Sequence, residues 1–400
     1  MAPDAAARLN DIWRHALNVA SVEPDADFFD LGGDSLMAVG LFLEIERAFG
    51  VKLPITAIYD APTIAAQLEL IANEAAPEFS HFVLLREGCE AQPFFIVHGV
   101  GGTVIELGAL GKQIDTGRAI YAIQARGLDG KDTPLETMEA MAALYVEEIR
   151  RRQPQGPWAI GGYSFGGVVA LEMARLLGPD NVAQLVMIDA YAHPNTWPLK
   201  TRVTVKARKL LSRLRHQSFG EVASALLKKM FGAKTDRAAY VNSWLGAVDP
   251  NLPLPLRQAR IAGDAALIAY TPRPYAGRAT FIRAARTGTV FPSDARNVWG
   301  KLIGRLELQS TPGDHRSILG AHAGELAARV SQCLTTPPLS SPASIACEAC
   351  GAREGDPGHA TSAVLTFAHA ILSKLQHRGR STTWVPFPRV GADGADARRG

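Results

Sequence analysis

Cysteine is scarce in this sequence: Cys89, Cys333, Cys347 and Cys350 are the four in 400 residues. They are too few and too unevenly spaced for the disulfide framework of a secreted protein, so reduced thiols are expected. The "CEAC" pair at Cys347 and Cys350 is half of a zinc-site pattern without a second half, and no metal is expected. Charge of one sign is also lacking. The formal net charge is +3, and no basic repeat interleaved with aromatics is present, which argues against a nucleic-acid partner. No apolar run of about 18 residues exists to span a bilayer, and "MAPDAAARLNDIWRH" lacks the basic start and apolar core of a signal peptide. No membrane partner and a cytoplasmic location are therefore expected.

What is present is enough apolar residue, 47% of the chain, for two domains with cores of their own. Two patterns divide it. From about residue 5 to 75 the spacing is helical: Leu9, Ile12, Trp13, Ala16 and Leu17 fall three to four apart, "SLMAVGLFLEIERAFG" stops at Gly50, and "TIAAQLELIANEA" starts after the capping residue Thr63. This predicts a bundle of three main helices, with a short turn after Pro54. From about 82 to 334, six apolar strand candidates alternate with helical stretches: "FFIVHG", "AIYAIQA", "PWAIGGY", "QLVMID", "ATFIRAA" and "RLELQST". Such alternation predicts a mostly parallel sheet covered by helices. The linker lies near Pro77. After about Pro337 the composition turns to Pro, Gly, Ser and Ala and predicts a mostly disordered tail over 337–400, within which "AVLTFAHAILSKLQ" has amphipathic spacing.

Two serines stand out. Ser35 lies in "DLGGDSLMAVG", at the start of a helical pattern where Asp34 is placed to cap. The longer stretch from "DFFDLGGDSL" to "DAPTIAAQLE" resembles the acyl or peptidyl carrier domains of polyketide and nonribosomal peptide assembly lines. The resemblance implies that Ser35 carries 4′-phosphopantetheine. A phosphodiester there would meet the unpaired N–H groups and positive dipole end of the helix. Gly32 and Gly33 are expected to leave room for the phosphopantetheinyl transferase, and Phe28, Phe29 and Leu31 to pin the loop as core residues.

Ser164 lies in "WAIGGYSFGGVVALEMARLL", a Gly-x-Ser-x-Gly between a strand and a helix, the context of a nucleophile elbow. A serine hydroxyl needs an imidazole to take its proton and a carboxylate behind that imidazole, in chain order Ser, acid, His. Of the downstream histidines His193, His216, His315 and His322, only His315 directly follows the last strand candidate. Upstream His98 is expected to shape its turn. Residues 82–334 resemble a type I thioesterase domain, an α/β-hydrolase, through "FFIVHGVGG", "GGYSFGG", "LVMIDAY" and "PGDHRSIL". That resemblance implies Ser164 as nucleophile, Asp189 as acid, His315 as base, the N–H groups of Val100 and Phe165 as oxyanion hole, and a helical lid over about 192–268. Asp294, after "ATFIRAA", is the competing acid, and Asp189 is preferred because a strand end is more rigid than a loop. Residues 200–237 hold eleven Lys or Arg against two acids, read equally as a solvated helix face or as a dock for an acidic carrier or phosphate.

The expectation is thus a multidomain chain, an all-α carrier bundle followed by an α/β-hydrolase, receiving an acyl or peptidyl thioester from upstream synthetase proteins on Ser35. Transfer to Ser164 and release by hydrolysis or cyclisation would follow. A silent hydrolase domain used for docking, and a hydrolase of free esters or thioesters, are the alternatives.

Overall fold

The computed structural model describes residues 3–33, 35–55, 57–73, 79–216, 248–250, 252–288 and 291–335, all within one compact unit spanning Met1–Pro338. Asp34, the linker around Pro77, the basic segment beyond His216, Cys347, Cys350 and the whole tail lie outside them.

The first domain is a bundle of α1 (Pro3–Leu17), α2 (Ser35–Phe49), the short α3 (Ala57–Asp60) and α4 (Ile64–Ala72). The turn expected after Pro54 is thus a helix of its own. Thr63 caps α4, its hydroxyl accepting from the Ala66 N–H. Leu9, Trp13, Leu41, Ile45 and Ile58 close the core with no exposed surface. The one polar pair among them is matched: Trp13 Nε1 donates to Gln67 Oε1 at 2.9 Å, and Gln67 Nε2 donates to the Ala61 carbonyl. Phe28 packs edge-on against Trp13 and is fully buried, whereas Phe29 and Leu31 are only half-buried.

The second domain holds β1 (Phe82–Arg86), β2 (Glu90–Val97), α5 (Gly108–Gln113), β3 (Arg118–Ile123), α6 (Met138–Arg152), β4 (Trp158–Tyr163), α7 (Phe165–Leu177), β5 (Val182–Ile188), α8 (Leu199–His216), α9 (Leu254–Ala269), β6 (Tyr275–Arg286), α10 (Arg296–Trp299), β7 (Ile303–Asp314) and α11 (Ala323–Thr335). The sheet order is β1-β3-β2-β4-β5-β6-β7, parallel except for β1, which runs antiparallel to β3. Strand β1 has no counterpart among the six candidates of the sequence, because "FVLLR" is five residues long and only its second and fourth face inward.

The central strands are buried on both faces, with residues alternating between two cores. Phe95, Ile160 and Met187 join α6 and α7 on one side, while Phe94, Ala159 and Val186 join α11 on the other. Each fully buried large side chain contributes roughly 1.5–3 kcal/mol, so these strands add heavily to the stability of the domain. The buried Glu172 of α7 accepts hydrogen bonds from Arg175, Tyr270 and Arg273, which ties the end of α9 to the helix that follows Ser164. Among the described residues no helix is long and apolar enough to cross a membrane.

Candidate active site

Ser164 sits between β4 and α7 with φ 54° and ψ −116°, a conformation that costs a non-glycine residue of order 1–3 kcal/mol. Its neighbours make the turn feasible. A methyl on Gly162 would lie 2.2 Å from the Gly166 backbone, and one on Gly166 would lie 2.2 Å from the His98 carbonyl oxygen. The Ser164 N–H donates to the Ile188 carbonyl at 2.8 Å, pinning the elbow to the end of β5.

Ser164 Oγ lies 2.9 Å from His315 Nε2, and His315 Nδ1 lies 2.7 Å from Asp189 Oδ2. With Nδ1–H donated to the carboxylate, the Nε2 lone pair is left to accept from the serine hydroxyl. Asp189 is 1% exposed, its φ is 43°, and its other oxygen accepts from the Ala284 N–H at 3.1 Å. The carboxylate is therefore held from two sides. Asp294 is half-buried and accepts from the Arg296 N–H at 2.8 Å, just ahead of α10. It does not reach His315.

Two rings outside the expected triad pack against the imidazole. Tyr163 stacks on His315 with ring centroids 5.1 Å apart and donates its hydroxyl to the His315 carbonyl, and the Phe291 ring is tilted against the same imidazole with centroids 5.3 Å apart. His98 is buried, with Nδ1 on the Gly99 carbonyl and Nε2 on the Tyr145 hydroxyl, and burial lowers its pKa to about 4. It stays neutral and shapes its turn. His193 is buried and accepts from the Asn195 N–H, while His322 lies beside Glu325.

Phe165 is the first residue of α7, where an N–H has no intrahelical acceptor. Val100 lies in the turn after β2. Helix α9 crosses above both, since a methyl on its Gly263 would stand 3.0 Å from the Val100 carbonyl oxygen and 3.7 Å from the Phe165 ring. Glu106 is a further carboxylate at this site. Burial raises its pKa to about 7, against the opposing influence of His315, the Gly99 N–H and Arg260. An acid between Ile105 and Leu107, soon after "HGVGG", was its sequence signal.

Ser35 is the first residue of α2, fifteen residues long, which suits a covalently held phosphate at a helix start. One turn on, Val39 lines a crevice of about 200 Å³ with Gly101, Thr103, Ile105, Leu252, Leu256 and Arg260. This space runs between the bundle, the turn containing Val100, and α9, so the residues present fit a long flexible arm. Gly33 has an additional reason beyond access: a methyl there would strike the buried Phe28 ring at 2.3 Å.

A strained serine at a strand-to-helix elbow, hydrogen-bonded to a histidine that is hydrogen-bonded to a buried aspartate, defines the α/β-hydrolase class. The family model described as "Thioesterase domain" matches residues 92–334, and "Phosphopantetheine attachment site" matches residues 7–71. The chain belongs to the thioesterase domain family and carries a phosphopantetheine carrier domain ahead of it, the fusion and cofactor expected from the sequence. Indigoidine synthase of Streptomyces lavendulae is 38% identical over 167 residues, which are 42% of this chain and 13% of that protein. Dimodular nonribosomal peptide synthase of Bacillus subtilis (strain 168) is 32% identical over 282 residues, 69% of this chain and 12% of that protein. The chain spans about an eighth of the length of these relatives. The crystal structure of holo-AB3403, a four domain nonribosomal peptide synthetase bound to AMP and glycine, aligns with a TM-score of 0.51 and 28% identity, covering 84% of this chain and 27% of that one.

Proposed function

We propose that the chain releases an acyl or peptidyl group from its own carrier domain, with residues 5–75 as carrier, 82–334 as hydrolase and 192–268 as lid region. The observation that carries this reading is the continuous hydrogen-bonded chain from Ser164 through His315 to Asp189. When bound at Ser35, phosphopantetheine supplies the acyl group as a thioester.

Ser164 Oγ attacks the acyl carbonyl as His315 Nε2 takes its proton, forming the C–O bond. Asp189 stabilises the resulting imidazolium. The N–H groups of Val100 and Phe165 receive the oxyanion, a contribution of roughly 2.7–4 kcal/mol for a donor of this kind. His315 returns the proton to the sulfur as the C–S bond breaks, leaving an ester on Ser164. It then takes a proton from water, which attacks that ester; collapse with proton return to Ser164 Oγ restores the serine. An internal amine or hydroxyl in place of water gives cyclisation, and hydrolysis is the default. Upstream synthetase proteins supply the acyl group and a phosphopantetheinyl transferase modifies Ser35, both in the cytoplasm.

Intact-protein mass spectrometry after loading with a phosphopantetheinyl transferase and an acyl-CoA tests this. The parent should shed its acyl mass, Ser164→Ala should retain it with release slowed about 10⁴-fold or more, and Ser35→Ala should show no loading. Equal release by Ser164→Ala and the parent would refute the assignment.

A further inference from the structure

The bundle meets the hydrolase domain at several places, and one of them is the segment from Val104 to Lys112. Tyr59 of α3 directs its hydroxyl at the Ile105 carbonyl, 2.9 Å away, and the Val104 carbonyl, 3.2 Å away. Ile105 is 4% exposed and belongs to the core cluster of the bundle, although it lies in the hydrolase half of the chain. Phe29 stacks on Tyr59 at 5.2 Å, and Lys112 stands over Phe29 while its ammonium pairs with Asp27 at 3.0 Å. Gly108 completes the seat, because a methyl there would lie 2.7 Å from the Tyr59 hydroxyl.

The opposite side of the same segment touches the active site. Residues Ile105–Leu107 form a 3₁₀ turn, and the Glu106 carboxyl presses on Gly99 so closely that a methyl on Gly99 would lie 2.0 Å from Oε1. The Gly99 backbone, packed against that carboxyl, favours its ionised form, and Gly99 directly precedes Val100. A path of direct contacts therefore runs from Tyr59 through Ile105 and Glu106 to Gly99 and Val100. Burial, aided by the nearby Glu106, holds the Tyr59 phenol protonated far above its ordinary range, so it remains a donor.

We propose that the seated carrier domain fixes the oxyanion-side turn of the hydrolase through Val104–Glu106, with Tyr59 as the positioning residue, so that carrier docking sets turnover as well as presenting substrate. This rests on the thioesterase reading above and adds a role for the carrier that is independent of its load. An oxyanion donor works only when held within a fraction of an ångström, so a loosened turn lowers kcat more than it alters KM.

The test uses the full chain, unmodified at Ser35, with an acyl N-acetylcysteamine thioester, which needs no carrier arm. Tyr59→Phe keeps the ring and its stacking on Phe29. It should lower kcat on this thioester about three- to tenfold with KM little changed, and speed amide hydrogen exchange at residues 99–103. Gly108→Ala, which displaces the hydroxyl, should act in the same direction, and adding Tyr59→Phe to it should cost little more. Unchanged exchange at 99–103 in Tyr59→Phe overturns the proposal, as does an unchanged kcat in an active parent. If the parent hydrolyses no thioester, exchange alone decides: a response there keeps the link and rejects the thioesterase reading.

Discussion

Ser35 and Ser164 both stand at the start of a helix, yet the chain treats them differently. Ser164 is held at positive φ, braced by glycines that admit no methyl, and hydrogen-bonded to His315. Ser35 is the first residue of α2, after a loop whose Gly32 has φ 89° and whose Phe28 is anchored in the core. The difference follows from who does the chemistry. A serine that attacks must carry its base, its acid and its oxyanion donors in fixed positions, and the fold accepts strain to place it. One that is modified by another enzyme needs access and a helix start that tolerates an anion.

The largest effect expected from breaking this contrast comes from the acid behind His315. Asp189→Asn keeps the shape but loses the charge that stabilises the imidazolium, and the amide favours the wrong tautomer, so acyl release should fall about 10³- to 10⁴-fold. Asp294→Asn keeps an oxygen that accepts from the Arg296 N–H, so it should change release less than about twofold, with stability within about 0.5 kcal/mol of the parent. Release from loaded protein at equal folded content measures both. The reverse ranking would move the acid to Asp294.

Next in size is the elbow itself. Gly166→Ala places a methyl 2.2 Å from the His98 carbonyl oxygen and 2.4 Å from that of Val97, both backbone atoms of a central strand end. Neither can yield without moving α7, so a loss of about 3 kcal/mol or more is expected, together with displacement of Ser164 and Phe165. Urea denaturation and the rate of Ser164 labelling by a fluorophosphonate check the two consequences separately. A variant of parent stability and parent reactivity would show that α7 shifts freely at its start.

These features were unevenly legible in the sequence. The strands FFIV, AIYAI, WAIGGY and LVMI were readable because parallel strands buried on both faces are continuous apolar runs. Ser164 and His315 were readable because a strand, a Gly-x-Ser-x-Gly turn and a late loop histidine leave few arrangements. The acid needed geometry, since Asp189 and Asp294 each follow a strand candidate and only tertiary pairing places one against Nδ1. Tyr59 and Ile105 were illegible for a physical reason. Their roles come from packing between two domains, and Ile105 reads as an ordinary hydrolase core residue until the bundle covers it.

A smaller effect separates the two serines' surroundings by protonation. Burial raises the Glu106 pKa to about 7 from an ordinary 4.5, although His315, the Gly99 N–H and Arg260 oppose it. The folded protein therefore favours the protonated acid. Its contribution is fully present below about pH 4.5 and is lost as pH rises to about 7, where the carboxyl must ionise in its buried place. Glu106→Gln never ionises and keeps nearly the same volume. Relative to the parent, its Tm should gain steadily between about pH 4.5 and 7 and stay level above that. A pH-independent difference would place the carboxyl in water.

The smallest effect contrasts the two helices by the same substitution made at Gly166. Gly40 lies inside α2, is exposed, and a methyl there meets nothing within 4 Å. Glycine in a helix interior costs roughly 0.5–1 kcal/mol relative to alanine, through the extra freedom its backbone loses on folding. Gly40→Ala should thus stabilise the bundle by about that amount, where Gly166→Ala damages the hydrolase domain by several times as much. Phosphopantetheine loading at Ser35 should be unchanged, since the methyl adds no contact within the chain. Denaturation followed by the bundle tryptophan, Trp13, and loading followed by intact mass are the two measurements. A stabilised variant that loads poorly would show that the modifying enzyme closes on this face of α2, and a destabilised one would show that α2 is held in a geometry tighter than its open surroundings imply.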